Sequence, residues 1–320
     1  MPGFVTHYVF GLNAYKNLPD PDIKRIIKER RNAFSLGLQG PDLFFYFMPS
    51  SLGFKPNIAN IMHKKRTGDF FRSLIDAVSI FDKKKDYEIA YAYIQGFMGH
   101  YLLDTTMHPY VYSRVGTSVS KQTLGIHFGL ETDIDREVLM HYKGVRQNDF
   151  SHVSVISLSK REKNIIARLL NSAILKTYGI TITTTLIKAS IVSFGIESIL
   201  LSDPKMTKHR FISFIENHTL GYGLVSPLLV NECRHSEDPC NEAHREWVNP
   251  WEPSMRGTSS VFEMLDSLQN KYVRYMESMD RALNDSHDML QDDSPAILSL
   301  LGNNSYSSGF DCRKRIAREP

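Results

Sequence analysis

Apolar residues recur along this chain at intervals of three and four, and period-two runs bounded by turn residues are scarce, which predicts an all-α protein. The span 22–38 is helical in pattern, entered after Pro19 and Pro21 and closed by Gly40 and Pro41, so Asp42 should sit just past a helix end. His63 lies near the start of a second pattern, in which Phe70, Phe71, Leu74, Ile75 and Val78 share a face. After a solvated turn at Lys83, Lys84, Lys85 and Asp86, residues 87–108 read as one long helix with Ile89, Tyr93, Phe97 and Tyr101 among its apolar positions and Pro109 as its stop. A loop to about Gly125 and a helix from near His127 follow. Further helices are expected at roughly 160–178, 182–201, 208–218 and 259–291, around a loop-rich stretch near 221–257 marked by Pro227, Pro239, Pro250 and Pro253. With no internal repeat and no shift in composition, the pattern describes a single multi-helix domain over 1–293. Residues 294–320, rich in glycine, asparagine and serine before RKRIAREP, form a tail expected to be partly mobile.

Composition narrows this picture. A chain of 320 residues, 42% of them hydrophobic, can bury a large core. Its net charge of +3 supplies no strong field toward nucleic acid or anionic membrane. The first residues lack the basic, apolar and small-residue succession of a secretory signal, which points to a cytoplasmic protein. Cys233, Cys240 and Cys312 are too few and too irregularly spaced for a disulfide framework or a zinc knuckle and are expected as free thiols. The most apolar stretch, 180–201, contains Lys188, Glu197 and threonines at 181, 183, 184 and 185, so a buried helix is expected there rather than a membrane span.

The candidate chemistry lies in residues 1–131, where His7, His63, His100, His108 and His127 stand beside acids. At about 100° per residue, His100, Asp104 and His108 are each offset by about 40° and project from one helical face into the same space. His127 and Glu131 repeat the interval of four and offer a nitrogen and an oxygen ligand from a single turn. Mixed nitrogen and oxygen shells of this kind suit zinc, whose catalytic sites leave a position open for water. His141, His152, His209, His218, His235 and His287 have no partner at ligand spacing and are read as ordinary residues, and His244 as structural.

Five ordered motifs then carry a resemblance: PGFVTH at 2–7, GPDLFFY at 40–46, MHKKRTGDFF at 62–71, GHYLLDTTMHPYVY at 99–112 and HFGLETD at 127–133. In these the chain resembles the zinc-dependent phospholipase C/D family, related to bacterial phospholipase C and fungal single-strand nucleases. The resemblance implies two or three zinc ions per chain. It implies a first metal held by Asp42, His63, His100 and Asp104, and a second held by His108, His127 and Glu131, with Asp104 bridging. A third would be held by His7, Asp104 and the amino-terminal residue, which requires removal of Met1 to expose Pro2. It further implies that Asp42 is both ligand and proton acceptor for the attacking water.

The chain departs from the phosphatidylcholine-cleaving members in two places. They have two more residues between the bridging aspartate and the next histidine, whereas the interval here is four, closer to the glycosylphosphatidylinositol phospholipase D branch. They also carry a glutamate near the amino terminus for the choline cation, whereas the first acid here is Asp20, leaving Phe44, Phe45, Tyr46 and Phe47 as aromatic faces that either meet a cation or pack. The function expected is hydrolysis of a phospholipid or similar phosphodiester, with transient contact at a membrane surface. A nuclease or phosphomonoesterase on the same site, and a zinc-stabilised scaffold without turnover, stand as alternatives.

Overall fold

A computed structural model describes residues 3–45, 57–118, 120–151, 157–288 and 294–314. The expectation of an all-α fold is met: among the described residues there are twelve α-helices and one sheet of two short strands. In chain order the helices are α1 (Phe4–Asn17), α2 (Pro21–Glu29), α3 (Arg31–Gly37), α4 (Ile58–Lys64), α5 (Thr67–Ala77), α6 (Lys84–Val115), α7 (Lys121–Lys143), α8 (Lys160–Tyr178), α9 (Thr184–Leu201), α10 (Thr207–Thr219), α11 (Val261–Asp288) and α12 (Ser294–Leu301). Strands β1 (Trp247–Val248) and β2 (Arg256–Gly257) pair antiparallel in the long excursion between α10 and α11.

Helix α6 is the axis of the fold. Its Tyr91, Tyr93, Phe97, Tyr101 and Tyr110 are fully buried, as expected of a helix covered on every side, and α1, α3, α7, α8 and α11 all pack on it. Some of its buried polar groups are satisfied across the contacts: the Tyr91 hydroxyl donates to Asp280 at 2.6 Å, and the Gln95 carbonyl accepts from the Tyr272 hydroxyl at 2.7 Å. This packing explains why Pro109 does not end the helix, as the proline rule predicts, and why α6 runs on to Val115. The loss of one backbone donor, a cost of about 3 kcal/mol, is outweighed by burial on both sides of the proline.

Other boundaries shift for local reasons. The helix expected over 22–38 breaks at Arg30, whose guanidinium leaves the helical line to donate to buried Glu88 at 2.7 Å. Helix α7 begins at Lys121, capped by the Ser120 hydroxyl, so His127 lies in its second turn rather than near its start. His63 closes α4 instead of opening the next helix, because Arg66 adopts a left-handed conformation between the two. Helix α9 forms as expected but is buried only on one side, through Ile187, Ile191 and Phe194, while Ile196, Ile199 and Leu200 are exposed. Among the described residues it is the one helix long and apolar enough to cross a membrane, yet Phe194 stacks on Phe4 and ties it to the protein.

The stretch from 294 is no loose tail as far as Lys314. Ile297, Leu301 and Tyr306 join the core, and the Tyr101 hydroxyl donates to the Leu301 carbonyl at 2.9 Å, which the glycine and serine content does not announce.

Helices α3 and α6 touch backbone to backbone. A β-carbon on Gly96 would lie 2.2 Å from the Phe34 carbonyl oxygen, and one on Gly37 would lie 2.2 Å from that of Tyr93. Gly96→Ala should therefore cost about 1–3 kcal/mol, read as a lowered midpoint in urea or heat. An unchanged midpoint would show that the two helices are further apart.

Candidate metal centre

Five elements deliver the candidate ligands to one place. His7 comes from α1, Asp42 from the 3-10 turn Gly40–Phe44, His63 from the end of α4, His100, Asp104 and His108 from α6, and His127 and Glu131 from α7. All eight are buried, His7, His100 and Asp104 completely. Pro2 lies outside the described residues. Three clusters have ligand atoms within 4.8 Å of one another: His7 with His100 and Asp104, Asp42 with His63 and His100, and His108 with His127 and Glu131. His100 belongs to the first two, so it joins Asp104 as a point of sharing. Asp104 reaches across the set, with Oδ1 3.1 Å from His7 Nε2, and Oδ2 3.1 Å from His100 Nε2 and 3.9 Å from the His108 ring. Asp42 Oδ1 is 3.1 Å from His63 Nε2 and 3.9 Å from His100 Nε2, and His127 Nε2 is 2.7 Å from Glu131.

Backbone carbonyls set the imidazoles. His63 Nδ1 is 2.7 Å from the Ala59 oxygen, His100 Nδ1 3.1 Å from that of Leu38, and His108 Nδ1 2.6 Å from that of Tyr306. A carbonyl only accepts, so each Nδ1–H donates and each Nε2 lone pair is directed at the cluster, the arrangement that orients a metal-ligating histidine. Gly40 makes room for this: with φ +51° it takes a conformation that disfavours side chains, and a β-carbon there would lie 2.2 Å from the His100 ring.

Several of these atoms have no hydrogen-bond partner among the described residues: both His7 nitrogens, Asp42 Oδ1, His100 Nε2, both Asp104 oxygens and His108 Nε2. Burying so many lone pairs face to face would be costly unless cations sit between them. Imidazole nitrogen and carboxylate oxygen together form a donor set that zinc accepts, so the residues present fit the metal that the motifs imply.

The protonation states agree. Burial holds the His108 imidazole at about 3 and lowers His7 and His127, which keeps them in the neutral, ligating form. For His100, burial is outweighed by Asp104 and Asp42, which raise it. Burial alone would push Asp104 up, but His100 and His108 hold it well below the usual carboxylate range.

Sequence reasoning passed over several supporting residues. Asp135 accepts from the Val5 amide at 3.0 Å, the Thr6 amide at 2.8 Å and the Thr6 hydroxyl at 2.6 Å, pinning the start of α1 and with it His7. It continues the interval of four from His127 through Glu131, a signal that was there to be followed. Tyr306 serves His108 through a backbone carbonyl, which no side chain advertises, while its ring packs 4.8 Å from that of His63. Tyr112 faces His127 at 5.1 Å and meets Trp251 at 5.0 Å, so the proline-marked excursion brings an aromatic wall to the site. His244, by contrast, is exposed and 3.2 Å from the Thr258 carbonyl, in keeping with a structural role. Of the aromatic run, Phe44 is in the core and Phe45 lies 5.3 Å from the His63 ring, while Tyr46 and Phe47 fall outside the described residues.

The model of the zinc-dependent phospholipase C family matches residues 6–185, which is more than half of the chain and includes all eight ligand candidates described. No curated protein and no solved structure matches.

A buried imidazole held near 3 binds fewer protons in the folded than in the unfolded chain once the pH drops below about 6.5, so its contribution to stability is present above that value and is lost as the pH falls toward 3. In chelator-treated protein, the wild type should lose stability relative to His108→Asn between pH 6.5 and 4, by up to about 1.4 kcal/mol per pH unit, measured by urea unfolding. Parallel profiles would show that His108 is not buried in its neutral form.

Proposed function

Because the chain belongs to the zinc-dependent phospholipase C family, we propose that it hydrolyses the phosphodiester of a phospholipid or a related head group. At family level it is a zinc-dependent phosphoesterase. The observation that carries the reading is the set of buried, unpartnered nitrogen and oxygen atoms that converge around Asp104. In this reading Asp42, His63 and His100 hold one zinc, and His108, His127 and Glu131 a second. Asp104 would also serve the first, and with His7 it would contribute to a third. Bound zinc would acidify water and neutralise phosphate charge.

The chain's own groups do the rest. Asp42, on a short turn and with one oxygen unpartnered, takes the proton of the attacking water. Burial of His100, Asp104 and His108 keeps bulk water from the ligand set, and the carbonyls of Leu38 and Tyr306 hold the His100 and His108 rings in place. Phe45, Tyr112 and Trp251 flank the site with aromatic faces suited to the non-reacting parts of a lipid head group.

Contact with a lipid surface is supported by apolar side chains exposed on two consecutive helices. These are Ile196, Ile199 and Leu200 on α9, which packs against the turn carrying Asp42, and Phe211 and Phe214 on α10.

Turnover on phosphatidylcholine, phosphatidylinositol, single-stranded DNA and a generic aryl phosphodiester, compared for the wild type and Asp42→Asn, tests the proposal. Expected are loss of activity on chelation, recovery with zinc, a preference for a lipid, and a fall in kcat of about 100-fold or more for Asp42→Asn. Preference for DNA would make the site a nuclease. Full zinc occupancy without turnover on any substrate would make it a scaffold.

A further inference from the structure

The structure brings together a second set of ligating side chains, outside the centre just described and outside the residues the family model matches. His209 stands in the first turn of α10, and Cys233 and His235 lie on the excursion that follows. One ligand atom from each lies within 4.8 Å of the other two, and the two imidazole rings are 6.0 Å apart at 51°. All three residues are half-buried, and His235 Nε2 is buried without a hydrogen-bond partner among the described residues.

Both backbones that carry this set are fixed by carboxylates. Asp133 accepts from the His235 amide at 2.8 Å, the Ser236 amide at 2.7 Å and the Ser236 hydroxyl at 2.9 Å. Arg136, 3.0 Å from Asp133, donates to the Cys233 carbonyl at 2.6 Å, and Asn231 accepts from the Cys233 amide at 2.7 Å. On the other side Asp203 caps α10, accepting from the Thr207, Lys208 and His209 amides. The ligand positions are thus set by hydrogen bonds that do not use the ligating atoms. Beside the two histidines opens a cavity of about 310 Å³, lined also by Gln122, Asn217 and Tyr222.

We propose that His209, Cys233 and His235 form a separate site for one transition-metal ion, zinc foremost. Two imidazoles and one thiolate suit a borderline-soft divalent ion better than magnesium or calcium, and three protein ligands leave a fourth position for water from the cavity. Binding converts the Cys233 thiol to a thiolate and releases its proton to solvent. The ion would fasten α10 to the excursion over the face of α7 that carries Gly129, Asp133 and Arg136, opposite the face that carries His127 and Glu131.

The sulfur distinguishes this site from the main centre, whose eight ligand candidates include no cysteine. Replacing zinc by cobalt in the full-length protein should give a thiolate-to-cobalt charge-transfer band. That band should be lost in Cys233→Ser and in His209→Asn and kept in Cys312→Ser, and zinc content should fall by a single ion in Cys233→Ser. In the wild type, alkylation of Cys233 followed by mass spectrometry should be slowed by zinc and restored by chelator, a readout that does not depend on a variant folding. A cobalt-loaded wild type without a thiolate band, a band that survives in Cys233→Ser, or alkylation indifferent to zinc would each overturn the proposal. None of these results depends on whether the main centre cleaves a lipid.

Discussion

Asp104 is fully buried, and each of its oxygens lies 3.1 Å from an imidazole nitrogen without a completed hydrogen bond. A carboxylate cannot be taken from water into that position without compensation worth several kcal/mol, and His7 and His108, held neutral by burial, do not supply it. Cations between these atoms would, and the surrounding architecture reads as the means of holding the atoms ready for them. Helix α6 is buried on all sides so that one of its faces can carry His100, Asp104 and His108 into the interior.

The supporting devices belong to the backbone more than to side chains. Carbonyls of Leu38, Ala59 and Tyr306 come from three different segments and each turns one ring, and Gly40 leaves the space that the His100 ring fills. Asp135 fastens the beginning of α1, so the histidine contributed by the chain's first helix is positioned from the opposite wall of the site. Residues 303–310 close the cluster from the far end of the sequence. The site therefore gathers parts from nearly the whole chain although its ligands occupy the first 131 residues.

The ligand pairs were legible because an interval of four is a property of the helix itself: His100, Asp104 and His108 share a face whatever surrounds them. The helical class followed from the same periodicity. What escaped was decided by tertiary contact. Pro109 reads as a stop until the burial of α6 is known, Arg30 looks like an ordinary helical residue until Glu88 appears opposite it, and the serine and glycine content of 302–309 hides a segment that packs on two histidines. Cys233 and His235 lie more than twenty residues from His209, so only the folded chain brings them together. Half of α9 faces outward despite its apolar sequence, because burial is set by what packs against a helix and not by its composition alone.

Anomalous diffraction at the zinc edge, on crystals grown with zinc, bears most directly on the role assigned to Asp104. Expected are at least two peaks between α6 and its neighbours, one of them within about 2.0–2.2 Å of an Asp104 oxygen and of His100 Nε2. Zinc-replete crystals in which Asp104 instead accepts hydrogen bonds directly from His7 and His100, with no anomalous peak beside it, would contradict that role.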